Sequence, residues 1–389
     1  MPDGRVLAPP AGAVPPMSFA DRIRAWIDAR LGDPRFQRWA SAFPLTRPIA
    51  RRRARALFDL CAGFVYSQVL LACVRLGLFD LLAEGPQRVE ILAPRLGLTD
   101  ERARRLLDAA ASIGLVAVRA DGRYALGPHG AALRANPGIA AMVEHHALVY
   151  RDLADPVALL RDEGTATGLG RYWPYSRAER PETLTDSDVA AYSRLMSQSQ
   201  PLVADEILAA YPLDAHRCLL DLGGGEGAFL LHVAARAPHL RLMLADLPAV
   251  AARAERRFVE SGIAHRASVH GGDFRRDPLP AGADVVSLVR VLHDHDDESA
   301  LQILRSARAA LPAGGTLLIG EPMAAAPGAE TVGAAYFGFY LLAMGQGRAR
   351  TPKENARLIE AAGFENIEIK QTNMPLQTGV MVARAARNV

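Results

Sequence analysis

LLDLGGGEGAF, residues 219 to 229, decides how the rest of the chain reads. Leu219 to Leu222 have the look of a short buried strand, and FLLHVAARA after the glycines has the spacing of a buried helix. Gly223, Gly225 and Gly227 fall in the turn between them. Glycines there let the backbone adopt conformations closed to other residues and approach a ligand closely. The stretch therefore predicts the first strand and helix of an open α/β sheet, with a ligand at the carboxyl ends of its strands.

Downstream, RLMLAD, ASVHG, DVVSLVRVL, GTLLIGE, FENIEIKQT and TGVMVARA read as further strands, mostly separated by helical segments. This predicts a doubly wound, Rossmann-like sheet of seven strands closed by an antiparallel hairpin. Thr351, Pro352 and Glu354 form a capping box with proline at the first helical position, which fixes a helix start. Upstream, residues 56 to 170 read as helices, with Thr99 capping one that begins at Asp100. AVRADGRYAL then reads as a hairpin around Asp121 and Gly122. Helices followed by such a hairpin have a winged-helix shape, which binds DNA in many regulators. Here the candidate recognition helix ERARRLLDAAASIGL is mostly apolar on its later turns, which favours packing or dimerisation.

The 389 residues suffice for two domains, and a half-hydrophobic composition with 22% charged residues predicts a soluble globular protein. A net charge of +3 does not by itself imply nucleic acid. Cys61, Cys73 and Cys218 lack any CxxC spacing and are expected to be reduced, with Cys61 and Cys218 in apolar segments and buried, as suits a cytoplasmic protein. Residues 1 to 17 are rich in Pro, Gly and Ala, are expected to be mobile, and lack a signal-peptide pattern. The apolar stretch AGFVYSQVLLACV contains Ser67 and Gln68, meets Arg75, and is expected to fall short of a membrane span. The Arg-rich RPIARRRARAL reads first as a solvated helix face and second as a contact for anionic lipid or nucleic acid.

The glycine loop leaves its ligand open between S-adenosylmethionine and a dinucleotide, and Asp246, 21 residues beyond Gly225, could hold the ribose of either. Two features favour S-adenosylmethionine: the acidic loop residue Glu226, which suits a cationic nucleoside better than a pyrophosphate, and the closing antiparallel hairpin. VLHDHDDE, residues 291 to 298, supplies two histidines and four carboxylates after the strand DVVSLVRVL. Adjacent residues without spaced ligands make a poor metal site, and no metal is expected. Asp296, Asp297 and Glu298 suit the start of the helix ESALQILRSARAAL. His293 is left at the strand end where open α/β sheets bind ligands.

In order, LDLGGGEG, ADLPAV, GGDF, RVLHDHDDE, the Gly320-Glu321 pair and GRART resemble the motifs of the S-adenosylmethionine-dependent O-methyltransferases of the plant caffeic-acid type. The likeness covers residues 190 to 389 and, more loosely, a helical domain that dimerises in that family. It implies a class I methyltransferase fold with S-adenosylmethionine as cofactor. Gly223 and Gly225 would lie against its methionine part, Asp246 with Leu247 at its ribose, and Asp273 with Phe274 at its adenine. Arg290 stands where the family has Lys. His293 falls on the general base, with Asp294 after it and Glu321 orienting the imidazole. His295 replaces a usual Trp, and Ala349 stands in the place of a second orienting Glu. Met196, Tyr336, Tyr340 and Met344 would face the acceptor, although ordinary core is an equal reading of the last three.

The stretch from DPRFQRW to LLAEGP, with FGFYLLAMGQGRART, is similar to the bacterial hydroxyneurosporene (demethylspheroidene) O-methyltransferases of carotenoid biosynthesis. This implies methylation of the tertiary hydroxyl of an acyclic hydroxycarotenoid by a homodimer, without nucleic acid. A lipid-borne acceptor adds the expectation of peripheral contact with the photosynthetic membrane. The expected division is a partly disordered extension over 1–55, a winged-helix-like dimerisation domain over 56–170, and linker helices with the catalytic domain over 171–389. A methyltransferase for another hydrophobic acceptor, such as a polyketide phenol or a bacteriochlorophyll precursor, shares every motif. A noncatalytic winged-helix regulator would require neither His293 nor Glu321.

Overall fold

Short runs of branched apolar residues, too short for helices, pair into the sheet that the glycine loop predicts. The computed structural model describes residues 17–162, 167–173, 185–326, 328–376 and 378–387, so the expected mobile segment lies outside them except for Met17. A two-stranded hairpin, β1 (Val116–Val118) and β2 (Tyr124–Leu126), precedes the main sheet. That sheet contains β3 (Cys218–Leu222), β4 (Arg241–Asp246), β5 (Ala267–Gly271), β6 (Val285–Val289), β7 (Thr316–Glu321), β8 (Phe364–Lys370) and β9 (Gly379–Ala385). Its order is β5-β4-β3-β6-β7-β9-β8, with β9 antiparallel to both its neighbours and the other pairings parallel. Strand order reverses between β3 and β6, the place where such sheets open a crevice.

β3, β6 and β7 are buried along their whole length, as strands covered by helices on both faces must be. Alternation divides their side chains between two cores. Leu220, Leu222, Val286, Leu288 and Ile319 pack with Ile303 and Leu304 of helix Asp297–Ala310. Leu219, Val285, Val289 and Leu318 pack with Phe229 of helix Ala228–Arg236 and Phe258 of helix Pro248–Glu260. Asp296 caps Asp297–Ala310 by accepting from the Ser299 amide at 2.8 Å. The Thr351 and Glu354 capping box and the Thr99 cap are both present.

The chain groups into two compact units, residues 1–70 and 71–389. Helices Phe19–Gly32 and Pro34–Ala42 lie in the first, and helix Arg47–Arg75 runs on into the second. Two expectations need correction in that helix. Cys61 is exposed, because it lies on a stretch with few packing partners in this chain, whereas Cys73 and Cys218 are buried. The apolar stretch is also not cut short at Ser67 and Gln68. Their side chains leave the helix ladder intact, and the 29-residue helix contains an 18-residue window of mean hydropathy 1.8, enough by length and composition to cross a membrane.

Candidate active site

β6 ends at Val289, and Arg290 follows in the left-handed region at φ 58°, where a non-glycine residue is uncommon. Its guanidinium compensates by tying the strand end to helix Asp186–Ala210. It donates to Ser199 Oγ at 2.8 Å, to the Met196 carbonyl at 2.8 Å, and to Gln200. The chain then makes a single 3₁₀ turn, Leu292–Asp294, which buries His293 and Asp294.

Glu321, at the end of the neighbouring β7, is fully buried below this turn. Its Oε2 accepts the His293 backbone N–H at 3.0 Å and lies 3.3 Å from Nδ1 of the same residue. On the other side of the ring, Nε2 is 3.2 Å from Asp294 Oδ1. Burial opposes charging of the imidazole, but the two carboxylates outweigh it and hold His293 above its ordinary value. Burial pushes the Asp294 carboxyl up to about 6, with the His293 charge acting against that rise. With Nδ1–H donated to Glu321, Nε2 is the nitrogen free to take a proton. A second contact to Glu321 comes from Asn355, whose Nδ2 lies 3.5 Å from Oε1.

At the switch point lies a crevice with about 1020 Å3 of open space, its mouth included. Gly223 and Gly225, Asp246 and Leu247, Asp273 and Phe274, Arg290, Met196 and Asp294 all contribute to its wall. Gly223 and Gly225 have φ of 68° and 59°. A Cβ on Gly223 would stand 2.8 Å from Val291, whereas one on Gly225 would project into open space. The loop is thus shaped for close approach of a ligand to backbone. Asp246 accepts the amides of Gly225 at 2.8 Å and Leu247 at 2.7 Å, and burial still raises it to about 6.

Tyr336, Tyr340 and Met344 belong to a buried cluster with Trp173 and Val149, one ring removed from His293 through Phe337. Glu226 behaves differently from its sequence reading. It lines the crevice, but its charge is satisfied by Arg253 at 2.7 Å and Arg257 at 3.3 Å, both on helix Pro248–Glu260. Among the described residues an unsatisfied acid is Asp221, which the sequence reading passed over. It is fully buried in β3, burial pushes it up to about 7, and Oδ1 accepts from Ser287 at 2.6 Å while Oδ2 has no partner among the described residues. An acid at the centre of an apolar strand was the available signal, since burying a carboxylate without a partner is costly.

Residues 150–365 match an O-methyltransferase domain, and residues 58–135 match an O-methyltransferase dimerisation domain. Demethylspheroidene O-methyltransferase of Cereibacter sphaeroides is 49% identical over 87% of this chain and 89% of its own length. The protein of the same name from Rhodobacter capsulatus is 42% identical over 87% of this chain and 84% of its own length. Among solved structures, human N-acetylserotonin methyltransferase in complex with SAM superposes with a TM-score of 0.70 at 26% identity, over 86% of this chain and 98% of that one.

Proposed function

The chain belongs to the S-adenosylmethionine-dependent O-methyltransferase family, and from that premise we propose that its acceptor is the tertiary hydroxyl of an acyclic hydroxycarotenoid. The observation that carries this is the 49% identity to a demethylspheroidene O-methyltransferase across nearly the whole of both chains.

S-adenosylmethionine, when bound, supplies a methyl group on a cationic sulfonium. The crevice fits it: three raised carboxyls, Asp221, Asp246 and Asp294, line it, and Asp221 Oδ2 has no hydrogen-bond partner among the described residues. We assign that orphaned oxygen to the ammonium group, the Gly223 and Gly225 backbone to the methionine part, Asp246 with Leu247 to the ribose, and Asp273 with Phe274 to the adenine. Arg290 holds Met196 beside the reacting end through the Met196 carbonyl.

His293 acts as general base. Glu321 fixes its tautomer, and the acceptor hydroxyl takes the place beside Nε2 that Asp294 occupies here. A tertiary alcohol is much too weak an acid to ionise first, so its proton would move to Nε2 as the new C–O bond forms and the methyl–sulfur bond breaks, its electron pair staying on sulfur as a neutral thioether. A positioned imidazole of this kind contributes about 10² to 10⁴ in rate. Tyr336, Tyr340 and Met344 form the apolar side of the acceptor site. Labelled methyl transfer offered simultaneously to a hydroxycarotenoid in detergent and a panel of phenols tests the acceptor. The carotenoid should take the label, and label found only in a phenol would overturn the assignment.

The dimerisation domain assigns the protein to homodimers, and the exposed Phe58, Leu60 and Phe64 within or beside it are surface for a second copy. For the extension before it, membrane contact is the reading. Phe19, Ile23, Trp26 and Ile27 lie along one face of helix Phe19–Gly32 and are exposed, as are Arg51, Arg52 and Arg53. The division at 55/56 and 170/171 is kept with these assignments.

A further inference from the structure

Asn355 stands where its helix calls for hydrocarbon. Helix Pro352–Ala361 starts at the Thr351 capping box and buries one face, on which Asn355 and Ile359 lie one turn apart. Ile359 packs into the core with Ile303 and Phe364, whereas Asn355, 1% exposed, brings a polar amide to the same depth. Asparagine is a weaker helix former than alanine or leucine, and here its Oδ1 has no hydrogen-bond partner among the described residues. Burial of such an oxygen opposes folding, so it calls for an explanation other than stability.

The other end of the amide supplies one. Glu321 is fully buried at the end of β7, and its Oε2 is engaged with the backbone N–H and Nδ1 of His293. For Oε1, Asn355 Nδ2 at 3.5 Å is the one donor among the described residues. Turned the other way, the amide would set Oδ1 against a carboxylate oxygen, so charge dictates which end faces Glu321. The terminal torsion of a glutamate is soft. A carboxylate gripped by one oxygen can therefore swing, and one gripped by both keeps its plane. At 3.3 and 3.5 Å the two side-chain contacts are long, as those of catalytic groups often are before substrate binds.

We propose that Asn355 is a positioning residue for methyl transfer. By donating to Oε1 it holds the Glu321 carboxylate in the plane where Oε2 meets Nδ1, and so keeps Nε2 as the nitrogen that takes the proton. The proposal rests on His293 as the base assigned above. Asn355 is not among the residues that line the crevice, so its effect passes through Glu321 and leaves cofactor binding alone.

Two readouts on the full chain separate positioning from packing, with S-adenosylmethionine affinity as the control for folding. The first is a double-mutant cycle on kcat, using the acceptor that takes label in the panel above. Asn355→Leu, which keeps the volume and removes the donor, should lower kcat by about 10 to 10². In a Glu321→Ala background the same change should add little, because the carboxylate it orients is gone. The second is ¹⁵N NMR of the imidazoles at alkaline pH, where the ring is neutral, with the His293 signals identified by their loss in His293→Gln. Wild type should show the Nδ1–H tautomer, and Asn355→Leu a mixture with Nε2–H. Asn355→Ala, which also lacks the donor, should reproduce both effects and serves if leucine does not fit. An equal loss of kcat in both backgrounds, or a tautomer unchanged in the variants, would make Asn355 a packing residue and overturn the proposal. A tautomer that shifts while His293→Ala remains as active as wild type would uphold the orienting contact and defeat the base.

Discussion

His293 has a carboxylate at each ring nitrogen, so its acidity is set by its neighbours. Glu321→Gln keeps a hydrogen-bonding group beside Nδ1 but removes a charge that raises the imidazole. The working form of the base is deprotonated, and removal of that charge makes deprotonation easier. The acid limb of the kcat/KM profile should therefore move to lower pH, and an unmoved limb would show that Glu321 does not face the working imidazole. The three crevice acids have a separate pH signature. Asp221 titrates at about 7 and Asp246 and Asp294 at about 6, each raised chiefly by burial. As pH falls through that range all three become neutral, and a cationic ligand loses its counter-charges. Affinity for S-adenosylmethionine measured by calorimetry should fall as the pH drops from about 8 to about 5, and Asp221→Asn should flatten the upper part of that dependence. In the ligand-free protein the sign is opposite. A carboxyl raised on folding binds its proton more tightly in the native state, so the cost of burying these acids is relieved as pH falls from about 7 towards about 4. Sequence located Asp246 by its distance from the glycines and missed Asp221. It also gave Glu226 to the ligand, since nothing local shows that Arg253 and Arg257 return to it across a helix and a strand.

At the scale of elements, the 3₁₀ turn that carries the base is held from below by a loop the sequence marks only as GRART. Gly347 has φ of 83°, and a Cβ there would fall 2.3 Å from the His293 carbonyl oxygen and 2.9 Å from Asp294 Cα. Both obstacles are backbone. Gly347→Ala should therefore displace the turn and lower kcat by more than tenfold while S-adenosylmethionine affinity, which we assign to the β3 loop, changes little; equal activity would mean that the turn is not fixed from this side. Arg350, fully buried, braces the same turn by donating to the Leu292 and His295 carbonyls, each at 2.7 Å. The helix that follows carries Asn355 to Glu321. Thr351→Ala removes the cap of that helix and should cost about 1 kcal/mol in denaturant unfolding. The strands, the capping box and the helix start at Asp296 were legible because local chemistry determines them. The helical character of Arg47–Arg75 was legible in its later part, but the length of its apolar window was not, because Ser67 and Gln68 dilute an apolar run without breaking a helix. The π-helix Val332–Phe337 has no local signature in the residues that form it.

Across the whole molecule, a modest net charge of +3 conceals an uneven distribution. Residues 17 to 57 contain ten arginines against three aspartates. Their attraction to anionic lipid should be screened by salt, while the exposed Phe19, Trp26 and Trp39 should not release as readily. Sedimentation with anionic vesicles at low salt should capture the wild type, and replacement of Arg51, Arg52 and Arg53 by Gln should weaken capture; capture that is unchanged would remove the membrane reading. The seven-stranded sheet was legible from alternation and glycine spacing, and the family from an ordered set of motifs. The acceptor was legible only through the amino-terminal likeness and not through the motifs, because a phenol and a carotenol demand the same base and the same cofactor site. The central claim is transfer of a methyl group to a carotenoid hydroxyl with His293 as base. It is tested most directly by incubating purified wild type and His293→Ala with methyl-labelled S-adenosylmethionine and a 1-hydroxylated acyclic carotenoid in detergent. The account predicts label in the carotenoid with wild type and a loss of about 10² to 10⁴ in the variant, with cofactor affinity retained; equal labelling by both proteins, or none by the wild type, would contradict it.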